Sequence, residues 1–179
     1  AMEERDNMKS DKGEKHPLPK EDTVKTYEIE VQIGEDGLGE ARARIGTEYL
    51  LGGLGDDGGG LATDCGKLVL DAFTAAGVAF ENRYVPDMIE EAKRKGAWHA
   101  AGDGYVPQAG DAAVVLGDEH IVVSNGKGGY VGANSSTGVI EKNSVEADFG
   151  KVTGYISVAE LTGGATVRKT VGENDKAAQ

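Results

Sequence analysis

The sequence predicts an α+β fold in which N-terminal helices pack on an antiparallel β-sheet. Apolar residues at helical spacing are found before Gly96, whereas short apolar runs separated by Gly, Asn, Asp and Ser follow it. Helices grouped before strands are typical of α+β proteins and differ from alternating β-α-β units. Strands this short and evenly spaced favour an antiparallel meander.

Composition restricts the classes of function. The chain of 179 residues is 39% hydrophobic, which suits one domain with one core. Its formal net charge of -12 opposes binding to nucleic acid or to anionic membranes, because the long-range field repels phosphates. No run of about 18 apolar residues occurs, so we expect no membrane span.

The two ends of the chain are expected to lie outside the folded domain. Residues 1–22 are dense in charge and poor in large apolar side chains, so they predict a leader that is disordered or derived from an expression tag. No signal peptide is visible, although Ala1-Met2 resembles a tag remnant and a native signal could have been removed. The predicted domain is 23–160, followed by a polar tail over 161–179.

The segment that opens the domain alternates in polarity. From Thr23 to Ile33, apolar residues occupy every second position near the end, which predicts a half-buried strand. The sequence from Gly34 to Gly37 predicts a turn. We expect a short helix from Leu38 to Ile45, ended by a glycine.

The next elements are two helices and a series of strands. A helix is predicted from about Asp64 to Ala76, with Thr63 or Asp64 as its cap. Another helix is predicted to begin at Pro86-Asp87. The predicted strands are Ala112 to Leu116, His120 to Ser124, Tyr130 to Ala133, Val139 to Lys142 and Val152 to Ser157.

The chain has one cysteine, Cys65, at the start of the first of these two helices. A lone thiol is reactive, buried and inert, or engaged in an intermolecular disulfide. A helix N-terminus favours the thiolate, so this position is expected to lower the thiol pKa and suits a nucleophile. Among the histidines, His120 at a strand start is the best base, whereas His16 lies in the leader and His99 in a predicted loop.

Four motifs around these residues resemble the NlpC-type cell-wall peptidases, a family with a papain-like fold. The stretch Gly46 to Gly53 is similar to the family's Gly-x-x-Tyr-x-x-Gly-Gly, and Asp64-Cys65 to its Asp-Cys-Ser-Gly. Pro107 to Asp111 resembles its Pro-Gly-Asp turn, and His120 to Val123 its His-Val-Gly-Ile strand. The resemblance spans roughly residues 38 to 157 and implies a papain-like domain.

The resemblance implies catalytic roles for particular residues. Cys65 would be the nucleophile and His120 the base, while Tyr49 would position the substrate or the oxyanion. The backbone N–H of the nucleophile would stabilise the oxyanion. Asp64 is either part of this positioning set or only a helix cap, and Tyr49 is equally well explained as a packing residue.

The third catalytic residue is uncertain, because the family position falls at Gly132, which has no side chain. Asn134 lies two residues further on and, by the period of a strand, on the same face. It either orients the imidazole or is a turn residue, and Asp118 is a weaker alternative. The chain also departs from the family at Gly66-Lys67, where Ser-Gly is usual; Lys67 is expected to face solvent.

No cofactor is expected. The glycine-rich loop after Gly53 has the wrong spacing for a phosphate-binding P-loop. Asp56-Asp57 does not complete a calcium loop, and one cysteine with scattered histidines makes no zinc site. Hydrolysis through a thiol requires neither metal nor cofactor.

The resemblance implies a secreted or cell-envelope thiol peptidase that hydrolyses amide bonds in peptidoglycan stem peptides, next to γ-D-glutamate and before a diamino acid. The base follows the nucleophile in the chain, which argues against the circularly permuted lipid-acyltransferase relatives. The alternatives are a degenerate module that binds wall peptides or a protein without cutting them, and an antibacterial effector or phage lysin. Because walls are anionic, the acidic charge implies a missing targeting segment or partner, or a soluble muropeptide substrate.

Overall fold

The computed structural model describes residues 21–51 and 63–163, and side chains from residue 31 onward within them. The helices are α1 (Glu21–Ala43), α2 (Cys65–Ala75), α3 (Val85–Arg94), α4 (Val145–Phe149) and α5 (Val158–Leu161). The strands are β1 (Trp98–Ala100), β2 (Ala112–Val115), β3 (His120–Ser124), β4 (Tyr130–Asn134), β5 (Gly138–Lys142) and β6 (Val152–Ile156).

The strands of the described residues form one antiparallel sheet in the order β1-β6-β2-β3-β4-β5. Strands β2 to β5 are the predicted meander, joined by short turns. Strand β6 returns across the molecule to pair with β2, and β1 pairs with β6 at the edge. The α+β class with helices packed on an antiparallel sheet is therefore confirmed.

The sheet is covered on both faces because successive side chains of a strand point to opposite sides. Residues of α1, α2 and α3 pack with Ile121 and Val123 of β3 to form the larger core. Val122, the residue between them, packs on the other face with Tyr130 and the short helix α4. The start of α2 and the start of β3 are thereby brought to the same end of the molecule.

The prediction for the segment before residue 45 was wrong. In place of a strand, a turn and a short helix, the structure has the single helix α1. Gly34, Gly37, Leu38 and Ala41 are buried, and this spacing follows the period of a helix. An added Cβ at Gly34 would lie 2.2 Å from the carbonyl oxygen of Ala109, so this glycine is a site of close packing and not of a turn.

The later elements follow the prediction closely, with one omission. Helices α2 and α3 and strands β2 to β6 were predicted to within one or two residues. His99 was predicted to lie in a loop but belongs to β1, where it pairs with Tyr155. A strand of three residues is too short to show an alternating pattern. Most of the predicted leader and tail, together with His16, lie outside the described residues.

No helix in the described part of the chain is both long and apolar enough to cross a bilayer.

Candidate active site

The candidate nucleophile, Cys65, is the first residue of α2. Asp64 caps the helix, because its Oδ1 accepts the backbone N–H of Lys67 at 2.8 Å. The preceding residue, Thr63, is held against a strand-like segment: Leu50 N–H donates to its carbonyl at 2.8 Å, and Thr63 N–H donates to the Glu48 carbonyl at 2.9 Å. Tyr49 is thus fixed beside the nucleophile.

The thiol of Cys65 is largely buried, and this burial raises its pKa. The Asp64 carboxylate raises it further, whereas backbone N–H groups of Ile121, Gly66 and Cys65 itself favour the thiolate. The expected lowering of this pKa by the helix start is therefore outweighed by desolvation. In the substrate-free protein the sulfur keeps its proton at neutral pH, so attack on a carbonyl requires a proton acceptor.

The predicted acceptor is His120, the first residue of β3. Its Nε2 lies 3.0 Å from Asn134 Oδ1. A carbonyl oxygen only accepts, so Nε2 carries the proton and Nδ1 is the free lone pair of the neutral ring. Burial lowers the pKa of His120, although the Asn134 bond opposes this. The next residue in the chain is Ile121, whose backbone N–H favours the Cys65 thiolate.

The structure brings Asn134 to the imidazole and explains why Gly132 cannot carry a side chain there. A Cβ added at Gly132 would lie 2.7 Å from Val122 Cγ1 and 3.1 Å from Tyr130 Cδ2. The Tyr130 ring therefore occupies the space over this glycine. Asp118 is exposed in the β2–β3 turn, and the described residues show no hydrogen bond between its carboxylate and His120.

The other two predicted positioning residues lie close to the thiol. Burial raises the pKa of the Tyr49 hydroxyl, and the nearby Cys65 and Asp64 raise it further, so the hydroxyl stays a hydrogen-bond donor. The Asp64 carboxylate also binds the guanidinium of Arg83 at 2.9 Å. These contacts account for Asp64 as a cap and an ion-pair partner, and its role toward substrate stays a prediction.

The family departure at Gly66-Lys67 has a structural reason. A Cβ at Gly66 would lie 1.9 Å from the Arg83 carbonyl oxygen and 2.9 Å from its carbonyl carbon. The loop before α3 therefore crosses directly over the start of α2, and only glycine fits. Lys67 is partly exposed and pairs with Asp71 at 2.8 Å, one turn along the helix.

We expect Gly66→Ser, which restores the usual family residue, to destabilise the protein by about 3 kcal/mol, because the backbone of residue 83 must move. Chemical denaturation gives the free energy of unfolding. Gly39→Ser is the matched control: Gly39 is an exposed residue of α1 with no atom within 4 Å of an added Cβ. It should change stability by less than about 0.5 kcal/mol. Equal losses in the two variants would contradict the packing argument.

The remaining candidates lie elsewhere. His99 Nε2 lies 2.7 Å from Glu160 Oε1, on a strand separated from β3 by β6 and β2. Within the described ranges, no three His, Cys, Asp or Glu side chains form a cluster that could hold a metal ion. The glycine-rich loop after Gly53 lies outside the described residues up to residue 62.

Two residues next to the site, Tyr130 and Asp148, are not among those that the sequence motifs indicate. Tyr130 is fully buried and its hydroxyl donates to Asp148 Oδ2 at 2.6 Å. Tyr130 is four residues before Asn134 on the same strand, so the period of a strand places both on one face. This spacing was the available signal for Tyr130. Nothing in the sequence pattern indicated Asp148, because its helix α4 has only five residues.

The sequence matches no family model and no curated protein. Solved structures do match. NlpC1 from Trichomonas vaginalis has a TM-score of 0.55 and 18% identity, over 70% of this chain and 44% of that one. A NlpC/P60 family protein from Bacillus cereus has a TM-score of 0.53 and 14% identity, over 69% and 39%. The P60 domain of an antigen from M. avium subspecies paratuberculosis has a TM-score of 0.51 and 19% identity, over 72% and 95%.

These matches confirm the fold that the sequence motifs implied. The chain has the papain-like α+β fold of NlpC/P60 structures. It spans less than half of the Trichomonas vaginalis and Bacillus cereus chains and nearly all of the single P60 domain. At identities this low the likeness concerns the fold, and function has to be argued from the site.

Proposed function

We propose that this protein is a cysteine peptidase that hydrolyses amide bonds in bacterial peptidoglycan stem peptides. The observation that carries the proposal is the arrangement around Cys65: the backbone N–H of Ile121 favours its thiolate, and the preceding residue in the chain, His120, is hydrogen-bonded through Nε2 to Asn134. A thiol nucleophile, a base and a residue that orients the base are the parts that such hydrolysis requires.

In the proposed reaction His120 Nδ1 takes the thiol proton as the Cys65 sulfur attacks the carbonyl carbon. The developing oxyanion accepts hydrogen bonds from the backbone N–H of Cys65 and from the Tyr49 hydroxyl. The tetrahedral intermediate collapses to a thioester, and His120 gives its proton to the leaving amine. Water, deprotonated by the same imidazole, then releases the acid and restores the thiol.

A neutral resting pair is consistent with this sequence of steps. Burial raises the pKa of the Cys65 thiol and lowers that of the His120 imidazole. The base is therefore unprotonated at neutral pH and able to accept the proton during attack. The thiolate forms as substrate binds, within reach of the backbone N–H groups that favour it.

The substrate class and the location follow from the family resemblance, which rests on the motifs and on the shared fold. The proposed bond joins γ-D-glutamate to a diamino acid of the stem peptide. The proposed location is the cell envelope or outside the cell. Because the chain has a net charge of -12, we propose a soluble muropeptide substrate, or targeting to the anionic wall by another segment or protein.

The hydrogen bond between Asn134 and His120 favours the peptidase over a module that binds wall peptides without cutting them. Gly132 leaves the position of the family's third catalytic residue without a side chain, which by itself would favour such a module. Asn134 supplies an acceptor to the imidazole at 3.0 Å, so the orienting function does not depend on Gly132.

The test is mass spectrometry of defined muropeptides after incubation with the reduced protein. We expect two fragments whose masses add up to the substrate plus one water, and the masses identify the bond. The chain has a single cysteine, so alkylation with iodoacetamide modifies Cys65 alone and should abolish the fragments. If folded protein with a reactive thiol cleaves neither diaminopimelate-type nor lysine-type stems, the peptidase proposal fails.

A further inference from the structure

The imidazole of His120 is held at one atom by a hydrogen bond and is packed against an aromatic ring. Its Nε2 lies 3.0 Å from Asn134 Oδ1. The ring of Phe149, the last residue of α4, lies 5.1 Å from the imidazole between centroids, at an angle of 54°. One hydrogen bond fixes one ring atom but leaves the plane of the imidazole free to turn about that bond, because the last torsion of a histidine side chain is broad. The contact with Phe149 restricts this turn.

Helix α4 is anchored without help from the imidazole. Its first residue, Val145, is buried and donates its backbone N–H to the Gly128 carbonyl at 2.9 Å. Near its other end, Asp148 Oδ2 accepts the hydroxyl of Tyr130 at 2.6 Å. The ring of Tyr130 also lies 5.1 Å from that of Phe149, at 54°. The helix therefore presents Phe149 to the imidazole from a fixed position.

The imidazole is influenced more by burial than by charge. Asp118 and Glu119 of the preceding turn are exposed, Asp148 is bound to Tyr130, and Cys65 on the side of α2 is a neutral thiol. Within the described ranges, no carboxylate forms an ion pair with the imidazole. Burial lowers the pKa of this histidine, and its hydrogen bond opposes the change. A phenylalanine ring packed on the imidazole excludes water from it and so contributes to this burial.

We propose that Phe149 is a positioning residue that fixes the plane of the His120 imidazole and shields it from water. Its effect on turnover rests on the peptidase function proposed above, whereas its effect on the titration of the imidazole does not. The direction of Nδ1, which takes the thiol proton of Cys65 in the proposed reaction, depends on the plane of the ring. Loss of Phe149 should therefore weaken this proton transfer without removing any group that takes part in it.

The first test is the kinetics of Phe149→Ala under conditions where the variant is fully folded. We expect kcat to fall about tenfold or more, because small displacements of a catalytic group are costly. KM should be nearly unchanged, since no proposed substrate contact is removed. An unchanged kcat would overturn the proposal. A raised kcat would also overturn it, because it would show that the ring hinders the imidazole.

Tyr155→Ala is the matched control. Tyr155 is a second half-buried aromatic residue packed on the same core cluster as Phe149, so its removal should destabilise that cluster in a similar way. Its ring contact is with Tyr105, 6.0 Å away between centroids, on a part of the sheet remote from β3. This variant should keep the wild-type kcat per folded molecule. Equal losses of kcat in the two variants would reduce the effect of Phe149 to one of stability.

The pH dependence of kcat/KM tests the shielding, since its acid limb reports the base of the free enzyme. Removal of the Phe149 ring admits water, which favours the imidazolium and raises the pKa of His120. The acid limb should therefore move to higher pH in Phe149→Ala and stay in place in Tyr155→Ala. Phe149→Leu, which keeps an apolar cover, should lie closer to wild type. An acid limb that does not move in Phe149→Ala would contradict the shielding.

Titration of the His120 imidazole by NMR, without substrate, separates this inference from the proposed function. The pKa should rise in Phe149→Ala and not in Tyr155→Ala. If this rise appears but wild type cleaves no muropeptide, the role of Phe149 toward the imidazole stands and the peptidase proposal fails. If wild type cleaves muropeptides but Phe149→Ala changes neither the titration nor kcat, the inference fails and the peptidase proposal stands.

Discussion

Cys65→Ala is expected to lower the rate of stem-peptide cleavage at least 1000-fold, on the order of the loss that follows removal of other catalytic nucleophiles. Alanine cannot form the thioester, and no other cysteine in the chain can replace it. The fold should survive, because the side chain is partly exposed and the cap at Asp64 does not involve the sulfur. The measurement is fragment formation over time by mass spectrometry.

The histidines supply the control. His120→Ala should lower the rate by a similar factor, since it removes the only proposed proton acceptor. His99→Ala should keep the wild-type rate per folded molecule, because β1 lies at the far edge of the sheet. If Cys65→Ala and wild type bind muropeptides equally and neither cleaves them, a binding module is the better explanation. Wild-type cleavage by Cys65→Ala would exclude the thiol mechanism.

The part of the fold that was predictable is the part with clear periodicity. Helices α2 and α3 carry apolar stripes, and strands β2 to β6 are separated by turn residues. The sequence does not predict helix α1, because Gly34 and Gly37 are typical of a turn. An added Cβ at Gly37 would lie 2.9 Å from the Ala72 carbonyl oxygen, so both glycines allow close packing between elements distant in sequence. A single sequence does not show such contacts.

The sequence likewise does not show the contacts in the site that join distant segments of the chain. The motifs identified Cys65 and His120 as candidates, and the period of a strand placed Asn134 on the face of Gly132. Their catalytic roles stay predictions until activity is measured. The clash of a Cβ at Gly66 with the Arg83 carbonyl and the bond between Tyr130 and Asp148 depend on chain segments that meet only in the folded protein.

A buried carboxylate in α3 holds the loop that crosses over the start of α2. Glu91 of α3 is 0% exposed. Its oxygens accept the backbone N–H groups of Glu81 and Asn82 at 3.0–3.1 Å, the Asn82 side chain at 2.8 Å and Lys95 Nζ at 2.7 Å. Desolvation opposes ionisation of this carboxyl, but the hydrogen bonds outweigh it and lower its pKa.

Glu91→Ala is therefore expected to destabilise the protein by about 3–5 kcal/mol, because buried donors and the Lys95 charge lose their partner. The folded-state pKa is lowered, so the contribution of Glu91 is full above the ordinary value of 4.5 and is lost as pH falls through the folded value. The stability gap between wild type and variant, measured by denaturation, should shrink in acid. Glu90→Ala, at an exposed neighbour, should change stability by less than about 0.5 kcal/mol.

Glu91→Ala is also expected to lower the rate of stem-peptide cleavage per folded molecule. Arg83 directly follows Glu81 and Asn82, whose backbone N–H groups donate to the Glu91 carboxylate. The Arg83 guanidinium binds Asp64 at 2.9 Å, and its carbonyl oxygen lies over Gly66. Release of the loop should therefore disturb residues on both sides of Cys65. Cleavage measured under conditions where each variant is fully folded should be slower for Glu91→Ala than for Glu90→Ala. Equal rates would show that the nucleophile is positioned by its helix cap alone.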